Sequence, residues 1–166
     1  MLPVRRWVHW PFPASTPSSQ TPEQAQAARD AEIIWKRAGN PDVRHPVDVI
    51  RAIDGDTFEA RVHLASGQEV MTRVRLRGID APELKAACAK ELRMAKAATG
   101  ALRDLLRQGE VAIYNIGPDK YRGRVVADVA TKRTGNVSAA LLAGGYVRSY
   151  HGGHRNGWCA NGNAAR

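Results

Sequence analysis

The spacing of hydrophobic positions changes character along the chain, and each change marks an element. Ala27, Ala31, Ile34, Trp35 and Ala38 recur at helical spacing. Thr21 is placed to cap that helix, Pro22 fits its first turn, and Gly39-Asn40-Pro41 closes it. Trp35 is the side chain expected to dock it on a domain. Beyond it, residues 47–53 and 57–64 read as strands, with a turn at Ser66-Gly67. Residues 69–79 alternate with period two: Thr72, Val74, Leu76 and Gly78 fall on one face, Arg73, Arg75 and Arg77 on the other. Residues 89–108 return to helical spacing, with a stripe of Leu92, Ala95, Thr99, Leu102 and Leu106, and Gly109 ends them. Residues 111–116 and 123–130 read as strands four and five. Val137–Ala143 reads as a short helix capped by Asn136 and closed by Gly144-Gly145.

Three strands, a helix, two strands and a helix is the order of a small five-stranded OB-type barrel, mainly β with two or three helices (α+β). The chain divides into a Pro-rich arm at 1–22, a helix and connector at 23–46, the barrel domain at 47–150 and a Gly/His-rich tail at 151–166. The arm is expected to be extended and mobile, and its Trp7, Trp10 and Phe12 are either a docking peptide or simply a disordered start.

Charge adds a partner class. The 166 residues carry a formal +9, and the barrel and tail carry most of it: residues 1–47 hold six basic and four acidic side chains, residues 48–166 hold 19 and 12. A basic folded unit attracts polyanions. No run approaches the ~20 apolar residues of a membrane helix. Arg5-Arg6 are followed by Trp7 to Pro13 rather than by a long apolar stretch, so no secretory signal is expected as written. The compartment stays open: periplasmic or secreted if the N-terminus is processed or mis-started, otherwise cytoplasmic. A monomer without a protein partner is expected.

Three segments carry the chemistry. Ile53-Asp54-Gly55-Asp56-Thr57 sits at a tight turn. Arg75-Leu76-Arg77-Gly78-Ile79-Asp80-Ala81-Pro82-Glu83 ends the third strand. Asp119-Lys120-Tyr121-Arg122-Gly123-Arg124 enters the fifth. Asp56 and Asp80 at strand ends can converge on a hard cation such as Ca²⁺, with the main-chain carbonyl of Ala81 as a further oxygen donor. Glu83 can orient a water as general base, and Arg75 and Arg124 can grip a phosphate bidentately. Each segment alone has a plainer explanation: turn chemistry for Asp-Gly-Asp, a helix start for Ala-Pro-Glu, a solvated face for the arginine alternation.

Taken together, and in this order, the three segments resemble the staphylococcal nuclease (thermonuclease) family, over about residues 47 to 150. The resemblance implies an OB barrel and Ca²⁺-dependent hydrolysis of DNA and RNA phosphodiesters, leaving 3′-phosphate ends. By the same resemblance Asp56 and Asp80 match calcium-binding aspartates, and Ala81 the position lending a carbonyl. Arg75 and Glu83 match the catalytic arginine and glutamate, Asp54 the turn aspartate behind the metal, and Lys120 and Tyr121 contacts to a terminal phosphate. The third segment is one residue longer than the family's Lys-Tyr-Gly-Arg. Counting back from Val125-Val126-Ala127 makes Arg124, rather than Arg122, the second catalytic arginine. Tyr150 is the nearest counterpart of the base-stacking tyrosine, and the Trp158-Cys159 ending resembles a bacterial branch of the family. The expected substrate is single-stranded or locally open nucleic acid. The competing function is a non-catalytic nucleic-acid-binding or protein-interaction module of the same fold. Asp56, Asp80 and Glu83 weigh against it, because they oppose phosphate binding.

Cys88 and Cys159 allow a disulfide, free buried thiols, or a zinc site with His151 and His154; the disulfide is preferred, since the histidine spacing is loose.

Overall fold

The computed structural model describes residues 20–159. The expected arm up to residue 19, with its three aromatics, and the last seven residues of the tail lie outside the described residues.

Five strands close into a barrel: β1 (His45–Ala52), β2 (Thr57–His63), β3 (Glu69–Leu76), β5 (Ala112–Pro118) and β6 (Arg124–Ala130), in the order β1-β2-β3-β6-β5. All pairings are antiparallel except the β3–β6 seam, which runs parallel from Arg73 beside Arg124 to Leu76 beside Ala127. Two short strands, β4 (Ile79–Asp80) and β7 (Arg148–Ser149), pair separately and antiparallel. The order matches the OB-type barrel with helices read from the sequence.

The barrel fills with Phe58, Val62, Val74, Leu76, Ile113, Val125 and Val129, all fully buried. Burying each such side chain is worth roughly 1.5–3 kcal/mol. Helix α2 (Ala89–Leu106) adds Leu102 and Leu106, and α3 (Val137–Ala143) adds Val137 and Leu141. Helix α1 (Pro22–Lys36) starts at a capping box: the Thr21 hydroxyl accepts from the Gln24 amide, and the Gln24 side chain accepts from the Thr21 amide. It lies against β3, β5 and β6. Ile34 and Ala31 are its buried anchors, while the expected anchor Trp35 is only partly buried. No helix among the described residues is long and apolar enough to cross a membrane.

The long third strand of the sequence reading is broken. Gly78 takes φ +81°, a left-handed conformation that glycine adopts at little cost, and it separates β3 from β4. The arginine alternation breaks with it: Arg73 is exposed, Arg75 is buried, and Arg77 is half-buried with Nη2 donating to the Asn115 and Val126 carbonyls. On α2 the buried stripe takes in Glu91 in place of Leu92, because the Glu91 carboxylate turns back to accept from the Ala87 amide.

Candidate active site

The β1–β2 turn is held by its own side chains. Asp54 Oδ1 accepts from the Asp56 amide at 3.0 Å, and the Ile53 amide donates to the Thr57 carbonyl at 2.9 Å. Gly55 is pressed into a gap that admits no side chain. A Cβ there would stand 2.6 Å from the Cβ of Ala98 and 2.9 Å from that of Ala81. The turn therefore delivers Asp56 to a fixed place. The Asp56 carboxylate is 6% exposed; Oδ1 accepts from the Thr57 hydroxyl at 2.9 Å and Oδ2 from the Ala81 amide at 3.0 Å.

Arg75 is equally constrained. Its Nη1 donates to the Leu76 and Ile79 carbonyls, both at 2.8 Å, the second of which is brought back by the Gly78 reversal. Its Nη2 faces Asp56 Oδ2 at 3.6 Å. Asp80, on β4, is 2% exposed. Its Oδ2 accepts from Arg148 Nη2 at 3.2 Å. Its Oδ1 is buried without a hydrogen bond, and Arg155 Nη1 lies 3.5 Å away. The same Arg155 nitrogen stands 3.7 Å from Glu83 Oε1.

Asp54 and Glu83, at this end of the barrel, resist ionisation. Burial, then the charge of Asp56, pushes the Asp54 carboxyl up to about 7. Burial raises Glu83 as well, reinforced by Asp56 and opposed by Arg155. A carboxylate with raised pKa and half-exposed to solvent suits a proton acceptor.

A cleft of about 470 Å³ opens beside this cluster, lined by Arg75, Lys120, Tyr150, His151 and Arg155. Arg124 and Tyr121 do not line it. The Arg124 Nε donates to Asp119, its guanidinium lies 4.7 Å from the Tyr121 ring centre, and both residues face a separate groove walled by α1, Met71 and Arg73.

The tail reaches the cluster because it is tied down. A disulfide joins Cys159 to Cys88, which also caps the N-terminus of α2, and this leaves no thiolate for zinc. Trp158 lies 4.1 Å from the Arg148 guanidinium, and the Tyr150 hydroxyl donates to the Gly153 carbonyl at 2.8 Å.

A family model for staphylococcal nuclease homologues matches residues 73–159. The chain belongs to that family. Its members are in general nucleases acting on nucleic acid, most with Ca²⁺. The matched segment of this staphylococcal nuclease homologue runs from β3 to the disulfide. The turn bearing Asp54 and Asp56 precedes it, yet folds onto it through Arg75 and Ala81. No protein with a curated description matches the chain.

The donor set fits a hard cation. Asp56 and Asp80 present carboxylate oxygens, and Asp80 Oδ1 is buried with no hydrogen-bond donor of its own. Among the described residues no three His, Cys, Asp or Glu side chains cluster as ligands. A Ca²⁺ ion at Asp56 and Asp80 would therefore complete its shell with main-chain carbonyl, water and phosphate oxygens, as Ca²⁺ sites commonly do.

Of the residues named from sequence, Asp54, Asp56, Arg75, Asp80, Ala81 and Glu83 form this connected cluster. Lys120 and Tyr150 line the cleft beside it, and Tyr121 and Arg124 stand apart. Arg148 and Arg155 were missed. For Arg155 a signal existed: Cys88 follows Glu83 by five residues, so a bond to Cys159 brings the segment just before it back toward the carboxylates.

Proposed function

We propose that this protein is a Ca²⁺-dependent endonuclease that hydrolyses phosphodiester bonds of single-stranded or locally open DNA and RNA with little sequence specificity, leaving 3′-phosphate ends. The observation that carries the reading is the pair Asp56 and Asp80, joined by Arg75 and Arg155 to the cleft those arginines line, the second with a buried oxygen that receives no hydrogen bond. Bound at these carboxylates, Ca²⁺ supplies positive charge to the phosphate oxygens and to a nearby water.

The rest is the work of side chains. Arg75, locked by two main-chain carbonyls, offers Nη2 and Nε donors to a phosphate already in place, without a rearrangement during attack. Glu83, with its raised pKa, takes the proton of the attacking water. Lys120 and Tyr150 hold the flanking phosphate and base along the cleft. Nothing in this set reads base edges, which supports backbone recognition without sequence preference.

The second reading, a non-catalytic binding module, is favoured by one feature: Arg148 and Arg155 already balance the charge of Asp80. Digestion of single-stranded DNA in Ca²⁺ and in EDTA separates the two. The enzyme cleaves in Ca²⁺, leaves phosphorylated 3′ ends and stops on chelation. Retained binding without cleavage in any metal establishes the module.

A further inference from the structure

We propose that Arg155, not Arg124, is the second arginine of the phosphate clamp, and that the Cys88–Cys159 disulfide is what holds it there. The inference rests on the nuclease reading above and names a residue for it.

Four observations carry it. Arg155 and Arg75 line the same cleft, so a phosphate lying in it meets a guanidinium from each. The Arg155 nitrogen holds its carboxylate partners at 3.5 and 3.7 Å, looser ion pairs than the 2.5 Å contact of Arg124 with Asp119, so a phosphate oxygen at hydrogen-bond length can compete for it. Arg124 is committed elsewhere: its Nε is bonded to Asp119, its face lies against Tyr121, and it lines another groove. Arg122 lines that other groove too, so neither arginine of the third motif faces the cleft.

The position of Arg155 is the product of its surroundings. Gly152 and Gly153, at φ +96° and +86°, fold the chain back on itself after β7. The Arg155 guanidinium then lies 5.0 Å from the Tyr150 ring centre. Four residues later the chain is covalently fixed to the start of α2. Without that bond the segment hangs from Tyr150 by a glycine pair, and ordering it against solvent would fall to a few exposed contacts. The disulfide therefore acts as a positioning element, and Arg155 as the group that touches substrate.

The test compares wild type, Arg155→Ala, Arg155→Lys and Arg124→Ala, each oxidised and each with the disulfide reduced, below the melting temperature of the reduced protein. Two readouts are taken in Ca²⁺: single-turnover cleavage of a single-stranded DNA oligonucleotide, and equilibrium binding of a short oligonucleotide ending in a 3′-phosphate. Oxidised Arg155→Ala should cleave about 10²–10³-fold more slowly than wild type, the usual cost of one transition-state donor. It should also bind the 3′-phosphate probe at least tenfold more weakly. Arg155→Lys should recover little of either, since lysine cannot form the paired bonds of a guanidinium. Arg124→Ala should stay within tenfold in both. Reduction should slow wild type and weaken its binding, and should change Arg155→Ala no further. The inference is overturned if Arg155→Ala stays within threefold of wild type, if Arg124→Ala is the more damaged variant, or if reduction and Arg155→Ala act additively. If wild type fails to cleave, the nuclease reading falls, and the binding arm still decides whether Arg155 grips phosphate.

Discussion

A Cβ on Gly55 would stand 2.6 Å from the Cβ of Ala98, closer than two such carbons approach in folded proteins. Helix α2 is therefore packed directly onto the main chain of the β1–β2 turn, and the turn's carboxylates are placed by that contact. Gly55→Ala should destabilise the protein by about 1–3 kcal/mol, the cost of overpacking a tight contact. Because relief requires the turn to move, Ca²⁺ affinity should fall too. Urea unfolding in EDTA and calcium titration measure the two effects separately, and an unchanged midpoint would show that the turn yields freely.

Glu83→Gln keeps the shape of the side chain and removes its capacity to take a proton. Single-turnover cleavage should slow by about 10²–10⁴-fold, with oligonucleotide affinity nearly unchanged. A variant cleaving at the wild-type rate would remove Glu83 from the proton-transfer role.

Asp54 makes metal-free stability depend on pH. The folded carboxyl titrates near 7 and the unfolded one near 3.8. Between those values the folded chain keeps a proton that the unfolded chain releases, so stability should fall as pH rises from about 4 to about 7. Asp54→Asn keeps the acceptor for the Asp56 amide and has no carboxyl to titrate. Its stability should fall less over that range. Urea midpoints in EDTA at pH 4, 5.5 and 7 provide the comparison; parallel curves for the two proteins would assign the slope to other groups.

The disulfide spans 71 residues of sequence. Cys159→Ser should lower unfolding free energy by about 2–4 kcal/mol in the chain-entropy account. Reduced wild type should melt with the variant, and a variant as stable as oxidised wild type would leave the bond with its positioning task alone.

The barrel was legible because β1, β2, β5 and β6 alternate or cluster their apolar residues, and because Gly109 and Asn136 sit where helices end and begin. The carboxylates were legible for a local reason: Asp56, Asp80 and Glu83 lie in short segments whose turn chemistry fixes them. Arg75 shows where periodicity stops informing. Its place in the alternation matches that of exposed Arg73, and the reversal at Gly78, which brings the Ile79 carbonyl back to it, sets it apart. Arg124 shows the same limit in the other direction. Counting register from Val125 gave its place on β6 but not its side-chain partner, and Asp119 five residues earlier decides that. Arg148 is set opposite Asp80 by the β4–β7 pairing and Arg155 lies four residues before the Cys88–Cys159 bond, long-range relations that no local pattern encodes.

The parallel β3–β6 seam orders events in time. Its partners lie some fifty residues apart, with α2 and β5 between them, so the barrel closes only after a long loop has been gathered in. A chain emerging from the ribosome as far as residue 120 already carries Asp56, Arg75, Asp80 and Glu83. It lacks β6, and it lacks Arg148 and Arg155, which pair with Asp80 in the finished fold. Assembly of the cleft therefore comes last: the carboxylates are made early, and the strand that walls them in is added only when β6 pairs with β3.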